Sequence, residues 1–406
     1  MADRPVIVMK FGGTSVGTEE GRGAIAERVT EALELGNAPV IVVSAMGRKG
    51  APYATDTLLD LIADLPGDAR ERDLLASTGE IISAVVVAHR LRSAGIAARA
   101  MTGAEAGIGT DDCHGCASVA DIHPGALLAA LEARLVPVVA GFQGISEDGS
   151  ITTLGRGGSD TTACALGVAL DAASVEIYTD VDGVMTADPR TGVPAAVLDT
   201  ILPEELYQMA RHGSRVVHTP AAELALTGGL QVRVRNTYSH HPGTRVADIA
   251  ALRPSSVATA ISHATSIARV RVTLPAGEGS AAHTAAQARV YRAMADAGVS
   301  LDMFTPAGEV LIFTVPQDAL GVVQGVLARL ALSFDVREGL AKVTLVGAGM
   351  HGVPGVMARL AEALDSAGVH VLQTADSHTT ISVLVPAEDA NTAVAALHDR
   401  FELADA

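Results

Sequence analysis

Two short segments carry residue types suited to holding anions. Lys10-Phe11-Gly12-Gly13-Thr14-Ser15 follows directly on an apolar run that opens at Val6. Paired glycines let the backbone approach an anion and aim N–H groups at it, and a lysine at a strand end adds a compact positive charge. A tight turn with an incidental lysine is the structural alternative. The second segment, Gly155-Arg156-Gly157-Gly158-Ser159-Asp160-Thr161-Thr162, precedes an apolar stretch that reads as a helix over Ala163 to Leu170. Ser, Asp and Thr cap helix starts, and a helix start attracts anions. Arg156 stands among glycines, free to grip a carboxylate with two hydrogen bonds. A capped helix behind a flexible loop is the alternative. No G-x-x-x-x-G-K-[ST] occurs, which excludes a P-loop, and the protein-kinase motif set is absent.

Two other motifs carry weaker chemistry. Cys113-His114-Gly115-Cys116, with His123 downstream, is a weak signal for zinc, which takes four good ligands or three plus water. A polar surface loop is the expectation, and no metal site is assigned. Gly347-Ala348-Gly349-Met350-His351-Gly352 matches the dinucleotide fingerprint G-x-G-x-x-G. Too little chain follows it for half of a dinucleotide-binding domain, so a regulatory loop is the better reading.

These segments sit in a chain that alternates short β-rich runs with helical stretches from residue 1 to about 245. Strands are expected at Val6 to Phe11, Pro39 to Ala45, Leu135 to Phe142, Ser174 to Tyr178 and Gln231 to Arg235, with helices at Glu19 to Leu35 and Ser83 to Ala94. Near-continuous Val/Ile runs predict strands buried on both faces, hence an α/β fold of three layers around a largely parallel sheet. Residues 246–262, with Pro254 and paired serines, read as a linker.

Beyond it lies an internal repeat. Ala297-Gly298-Val299 recurs as Ala367-Gly368-Val369, Val315-Pro316 as Val385-Pro386, and Val272-Thr273-Leu274 as Val343-Thr344-Leu345. This predicts two tandem ferredoxin-like α+β units, 263–335 and 336–406. Their exposed sheet edges favour side-by-side pairing.

Of 406 residues, 49% are hydrophobic and 3% aromatic, and the formal net charge is −17, which argues against a nucleic-acid partner. The positive charge for a small anion must therefore be local. Lysine occurs only as Lys10, Lys49 and Lys342. No apolar run approaches the ~18 residues of a membrane span. The N-terminal apolar run is too short for a signal peptide, so a cytoplasmic protein is expected.

The motifs together resemble the aspartokinase family. The carriers are Lys10 to Ser15, Ser77-Thr78-Gly79-Glu80, Gly155 to Thr162, and Tyr178-Thr179-Asp180-Val181-Asp182-Gly183-Val184 through Asp188-Pro189-Arg190. They stand in the family's order, and the repeat resembles its paired ACT domains. Ser44 to Gly50 and Leu372 to Thr380 resemble the diaminopimelate-sensitive members in particular. The resemblance implies an amino acid kinase domain over 1–245 that uses ATP and Mg²⁺ to phosphorylate L-aspartate. It implies Lys10, with Gly12 and Gly13, on the transferring phosphoryl group. Ser44, Thr55 and Glu80 would line the aspartate pocket, Glu80 facing the amino group and Arg156 the α-carboxylate. Ser159 and Asp160 would stand where substrate meets phosphates, and Thr179, Asp180, Asp188 and Arg190 would hold the nucleotide. Arg215 stands where a lysine is usual, and Met185 where many members have tyrosine. The ACT pair implies feedback by an amino acid, meso-diaminopimelate ahead of lysine or threonine, and a homodimer through those units.

Overall fold

The computed structural model describes residues 4–63, 68–214, 223, 229–247, 257–274, 280–350 and 352–405. The chain divides into two compact units. One comprises 1–184, 197–211 and 215–254; the other comprises 185–196, 212–214 and 255–406.

The first unit opens with β1 (Val6–Phe11), α1 (Gly13–Gly17), α2 (Glu19–Glu34), β2 (Ala38–Val43), α3 (Thr55–Asp60), α4 (Ala69–Ser93) and β3 (Ala98–Met101). Next come β4 (Ile108–Thr110), β5 (Val119–Ile122), α5 (Gly125–Glu132), β6 (Val136–Ala140), β7 (Gln143–Ile145), β8 (Ile151–Thr153) and α6 (Gly158–Ala169). It closes with β9 (Ser174–Thr179), β10 (Thr200–Ile201), α7 (Pro203–Arg211), β11 (Val232–Asn236) and β12 (Thr244–Val246). The main sheet runs β10-β12-β11-β9-β1-β2-β6-β3, parallel except for the β11–β12 pair. A small sheet, β5-β4-β7-β8, stands apart from it.

Every residue of β2 and β6 is buried. Such strands carry Val and Ile on both pleats because both faces lie against other layers. Ile7, Met9 and Phe11 share a core with Ile25 and Val29 of α2 and with Val87 and Leu91 of α4. Val8, on the opposite pleat, is equally buried, and α6 packs on β1 and β9.

Two helices differ from the sequence expectation. α4 is 25 residues long rather than one confined to Ser83–Ala94. It starts at an Asp68 cap that accepts from the Arg70 N–H, and the buried Asp73 and Ser77 turn its polar first half into a core element. Its length and composition would also allow a membrane span, although no apolar run suggested one; half of that apolar window is buried inside the protein. α6 begins at Gly158, five residues ahead of Ala163. Its cap is not a Ser, Asp or Thr side chain but Gly157, whose φ of 76° suits glycine.

The second unit contains β13 (Ala260–Thr273), α8 (Ser280–Asp296), β14 (Asp302–Ala307), β15 (Val310–Pro316), α9 (Leu320–Arg329) and β16 (Ser333–Val346). After them come α10 (Val356–Ser366), β17 (Gln373–Asp376), β18 (Thr380–Pro386) and α11 (Ala390–Arg400). All six strands form one antiparallel sheet, β14-β15-β13-β16-β18-β17. The repeat is visible in it, but the two halves share their long strands. Ile267–Thr273 lie between β15 and Ser333–Leu340 of β16, whereas Ala260–Ala264 pair with Lys342–Val346 of β16. The change of register lies between Ala264 and Ile267, next to Ser266 at a φ of 60°. Two large cores result, one around Val270, Val290, Phe313 and Leu327, the other around Ile261, Val343, Leu360 and Leu397, beside a small cluster of Met303, Leu340 and Leu384. The dinucleotide-like glycine run lies in the loop that leaves β16 for α10.

Candidate active site

The order of strands reverses at β1, which has β2 on one side and β9 on the other. In open α/β sheets ligands bind at such a point, beyond the carboxyl ends of the strands. Lys10 lies one residue from the end of β1, in register with Val42 and Ile177. Its Nζ sits 2.6 Å from Oδ1 of Asp160, in the first turn of α6. Both side chains are largely buried, and the positive end of the helix favours the carboxylate.

The glycine turn that follows is packed too closely for a side chain at Gly13. A Cβ on Gly13 would lie 2.5 Å from the Ala45 carbonyl oxygen and 2.8 Å from that of Gly47. One on Gly12 would fill the space beside Lys10 Nζ, 3.8 Å away, and the Tyr178 carbonyl. This is a cradle of backbone and ammonium of the sort a phosphate occupies.

The Gly47 N–H donates to the Gly13 carbonyl, at 2.9 Å. That bond ties the cradle to the loop leaving β2, whose half-buried Ser44 donates its N–H to the Phe11 carbonyl. The next residue, Ala45, donates its N–H to Oε1 of Glu80 at 3.0 Å. Glu80 is 3% exposed, and its Oε2 is buried with no partner. Burial pushes its carboxyl up to about 8, against smaller opposing effects of backbone N–H donors. A buried acid with one oxygen unpaired is ready to receive a cation. Thr55, half-buried, opens α3, which packs on α4.

Arg156 is exposed in the glycine loop, while Ser159 and Asp160 are buried in the first turn of α6. Thr179 ends β9, and its hydroxyl donates to Asp180 Oδ1 at 3.2 Å. Asp180 also pairs with Arg48 across 3.3 Å, both exposed. Thus Lys10, Gly12, Gly13, Ser44, Glu80, Ser159, Asp160, Thr179 and Asp180 belong to one unit and to one end of its sheet. Asp188 and Arg190 fall in the other unit, where they pair with each other at 2.6 Å, and the guanidinium holds the Asp188 carboxyl below its usual range. Met185 belongs to the same segment. Arg215 lies outside the described residues.

Three contributors had no role assigned from sequence. Arg48 is one, the partner of Asp180. Ser15 is another, hydrogen-bonded to Thr237 at 2.7 Å, which fastens the glycine turn to the end of β11. Asp73 is the third: it accepts four hydrogen bonds within α4's neighbourhood, from His114, Gly115 and Thr153. None of the three pairs could be read from spacing, because the partners are remote in the chain. A cavity of about 380 Å³ lies in the second unit, between Thr191–Pro194 and the end of α11, and contains none of the motif residues.

Comparison with known proteins defines the class. Residues 5–236 match the amino acid kinase family and residues 335–399 the ACT domain. The chain is thus a phosphotransferase with a regulatory-type module. It is 43% identical to aspartokinase 1 of Bacillus subtilis over 408 residues, 98% of this chain and 99% of that one. The crystal structure of E. coli aspartokinase III with aspartate and ADP, in the R-state, superposes with a TM-score of 0.81 at 25% identity, covering 97% and 99% of the two chains. The same enzyme with lysine and aspartate, in the T-state, gives 0.73 over 98% and 99%. The chain belongs to the aspartokinases.

Proposed function

We propose that this protein transfers the γ-phosphoryl group of ATP to the side-chain carboxylate of L-aspartate, yielding 4-phospho-L-aspartate. This is the entry step toward lysine and diaminopimelate, threonine and methionine. The observation that carries the reading is the Lys10–Asp160 pair over the glycine cradle, with the unpaired oxygen of Glu80, a residue of α4 bonded to the adjoining loop at Ala45. The acceptor carboxylate has a pKa of ~4 and is an anion at neutral pH, so no general base is required. What the site must do is bring two anions together. Lys10 and the cradle N–H groups stabilise the transferring group, Glu80 takes the substrate ammonium, and Arg156 takes the α-carboxylate. Ser44, Thr55 and Ser159 line the acid's pocket, and Thr179 and Asp180, with Asp188 and Arg190, serve the nucleotide. Mg²⁺ enters on the phosphates. The cradle fits that form of substrate, since Mg²⁺ takes only one or two carboxylates when phosphates supply the rest. Such a donor makes the cytoplasm the site of action.

The catalytic domain is proposed as 1–245, followed by a linker to 262 and regulatory units 263–335 and 336–406 that pair in a homodimer. Feedback is by an amino acid, meso-diaminopimelate foremost, binding to the ACT units. The resemblance around Leu372 to Thr380 supports this choice. The test is hydroxylamine trapping with ATP, Mg²⁺ and L-aspartate, repeated with meso-diaminopimelate, lysine and threonine. Aspartyl hydroxamate suppressed by diaminopimelate is expected. No hydroxamate would overturn the catalytic reading, and indifference to all three effectors the regulatory one.

A further inference from the structure

The loop between β4 and β5 holds two cysteines in a rigid frame. Cys113 and Cys116 are exposed, and their Sγ atoms lie 2.6 Å apart. The backbone beneath them is fixed from several sides. Cys116 N–H donates to the Cys113 carbonyl, closing a turn, and Asp111 accepts from the N–H groups of Cys113 and Ser118. His114 Nδ1 and the Gly115 N–H both bond to the buried Asp73, and Ala117 N–H bonds to the Thr153 carbonyl. The juxtaposition of the thiols is therefore built by the fold. The third cysteine, Cys164, is fully buried and stands outside this chemistry.

The same frame touches the proposed substrate loop. Asp73 also accepts from the N–H and hydroxyl of Thr153, the last residue of β8, two residues ahead of Gly155. Gly155, at a φ of 72°, sits against the thiol loop: a Cβ there would lie 3.4 Å from the Gly115 carbonyl oxygen and 3.9 Å from the Cys116 Cα. Arg156 is the next residue.

We propose that Cys113 and Cys116 are a reversible dithiol that closes to a disulfide on low-molecular-weight disulfides and, through Gly155, sets the grip of Arg156 on the amino-acid substrate. The second clause rests on the aspartate-kinase reading. In the first step one of the two thiolates attacks one sulfur of the small disulfide, forming a mixed disulfide and expelling one small thiolate. The other cysteine's thiolate then attacks the protein sulfur of that mixed disulfide and expels the second. Two protein thiols and one small disulfide become one protein disulfide and two small thiols, the protein's two protons ending on the leaving groups. The hydrogen bond between the two thiols, ahead of burial and the nearby Asp111 and Asp112, pushes the Cys113 thiol up to about 11. The thiolate is the attacking form, so closure accelerates as pH rises from 7 to 9.

The experiment equilibrates the full-length protein in mixtures of reduced and oxidised glutathione, then measures intact mass and steady-state kinetics on the same samples. The expected result is loss of two hydrogens, mapped by peptide analysis to Cys113–Cys116 and reversed by excess thiol. Cys113→Ser and Cys116→Ser are each expected to stop at one glutathione adduct on the cysteine that remains. The oxidised enzyme is expected to show a severalfold higher KM for aspartate with little change in the nucleotide KM, and neither serine variant should show that response. Unchanged mass, or adducts on both thiols without closure, would overturn the dithiol assignment. Closure with an unchanged aspartate KM would overturn the coupling to Arg156. Failure of the kinase reading would appear separately, as no hydroxamate in the fully reduced sample.

Discussion

Glu80 offers the sharpest test, because its environment in the free protein is wrong for a carboxylate and right for a carboxylate with a cation. Its carboxyl is raised from 4.5 to about 8 by burial, and Oε2 has no partner. At pH 7 the free protein therefore carries Glu80 largely protonated, and a substrate ammonium must select the ionised form. If binding requires that form, the apparent aspartate KM exceeds its limiting value by about tenfold at pH 7 and by only about 1.3-fold at pH 8.5. KM should thus fall roughly eightfold between those values, with one proton released per aspartate bound at neutral pH. Folding stability gives the complementary sign. The unfolded chain ionises near 4.5 while the folded one holds its proton, so the contribution of Glu80 is fully present below that value. It is lost as pH rises towards about 8, by 1.36 kcal/mol per unit and roughly 3 kcal/mol by pH 7. Glu80→Gln should therefore gain stability over wild type as pH rises from 4.5 to 8, while binding aspartate far more weakly and with no pH-dependent KM. The assays are urea unfolding across pH, and aspartate titration by calorimetry in two buffers of different ionisation enthalpy. A flat wild-type KM from pH 7 to 8.5, or a Glu80→Gln variant that binds aspartate normally, would refute the reasoning.

Other substitutions probe the remaining contacts. Lys10→Ala should lower kcat by about 10³-fold, the scale of losing a preorganised donor, and near-normal turnover would remove Lys10 from the chemistry. Asp160→Asn leaves Lys10 unpaired; kcat should fall by about 10²-fold, while the ATP KM holds or improves because phosphate no longer competes with a carboxylate. Gly13→Ala drives a methyl into two backbone carbonyls, so activity should vanish with a loss of about 1–3 kcal/mol on urea unfolding. Arg48→Ala breaks an exposed pair with Asp180, and should change stability by less than about 1 kcal/mol and the nucleotide KM no more than severalfold.

How far these features could be read from the sequence depended on whether their cause was local. The cradle was legible because a lysine before two glycines at the end of an apolar run is a local pattern. Its partner Asp160 was legible as a residue but not as the partner, since 150 positions separate the two. The first half of α4 is hard to read from sequence because the charged Arg70 to Asp73 and the small polar Ser77 to Gly79 interrupt its apolar pattern. Their helical state is set by tertiary contacts, chiefly Asp73 buried under the thiol loop. The cap of α6 was misplaced for a related reason: a left-handed glycine can turn the chain into a helix without any side-chain cap. The repeat was plain from its constant offsets, yet nothing in those offsets says that Ala260–Ala264 pair with the second half rather than the first. That choice belongs to register and bulge geometry, which local sequence specifies weakly.

The site's charges form a consistent whole with the chain's acidity. Without substrates, Lys10 and Asp160 cancel, Arg48 and Asp180 cancel, and burial keeps Glu80 largely protonated at pH 7, which leaves Arg156 without an ion-pair partner among the described residues. A site so arranged is nearly neutral at rest inside a protein of net charge −17. On the proposed function these charges would come into use as ligands arrive: a substrate ammonium would ionise Glu80, a phosphate would draw Lys10 from Asp160, and a carboxylate would meet Arg156. Each ligand would then complete the field that the next one needs, and the reacting anions would be brought together only when both are bound. On that proposal an acidic protein would bind two anionic substrates without a permanent basic patch that would also collect unrelated polyanions.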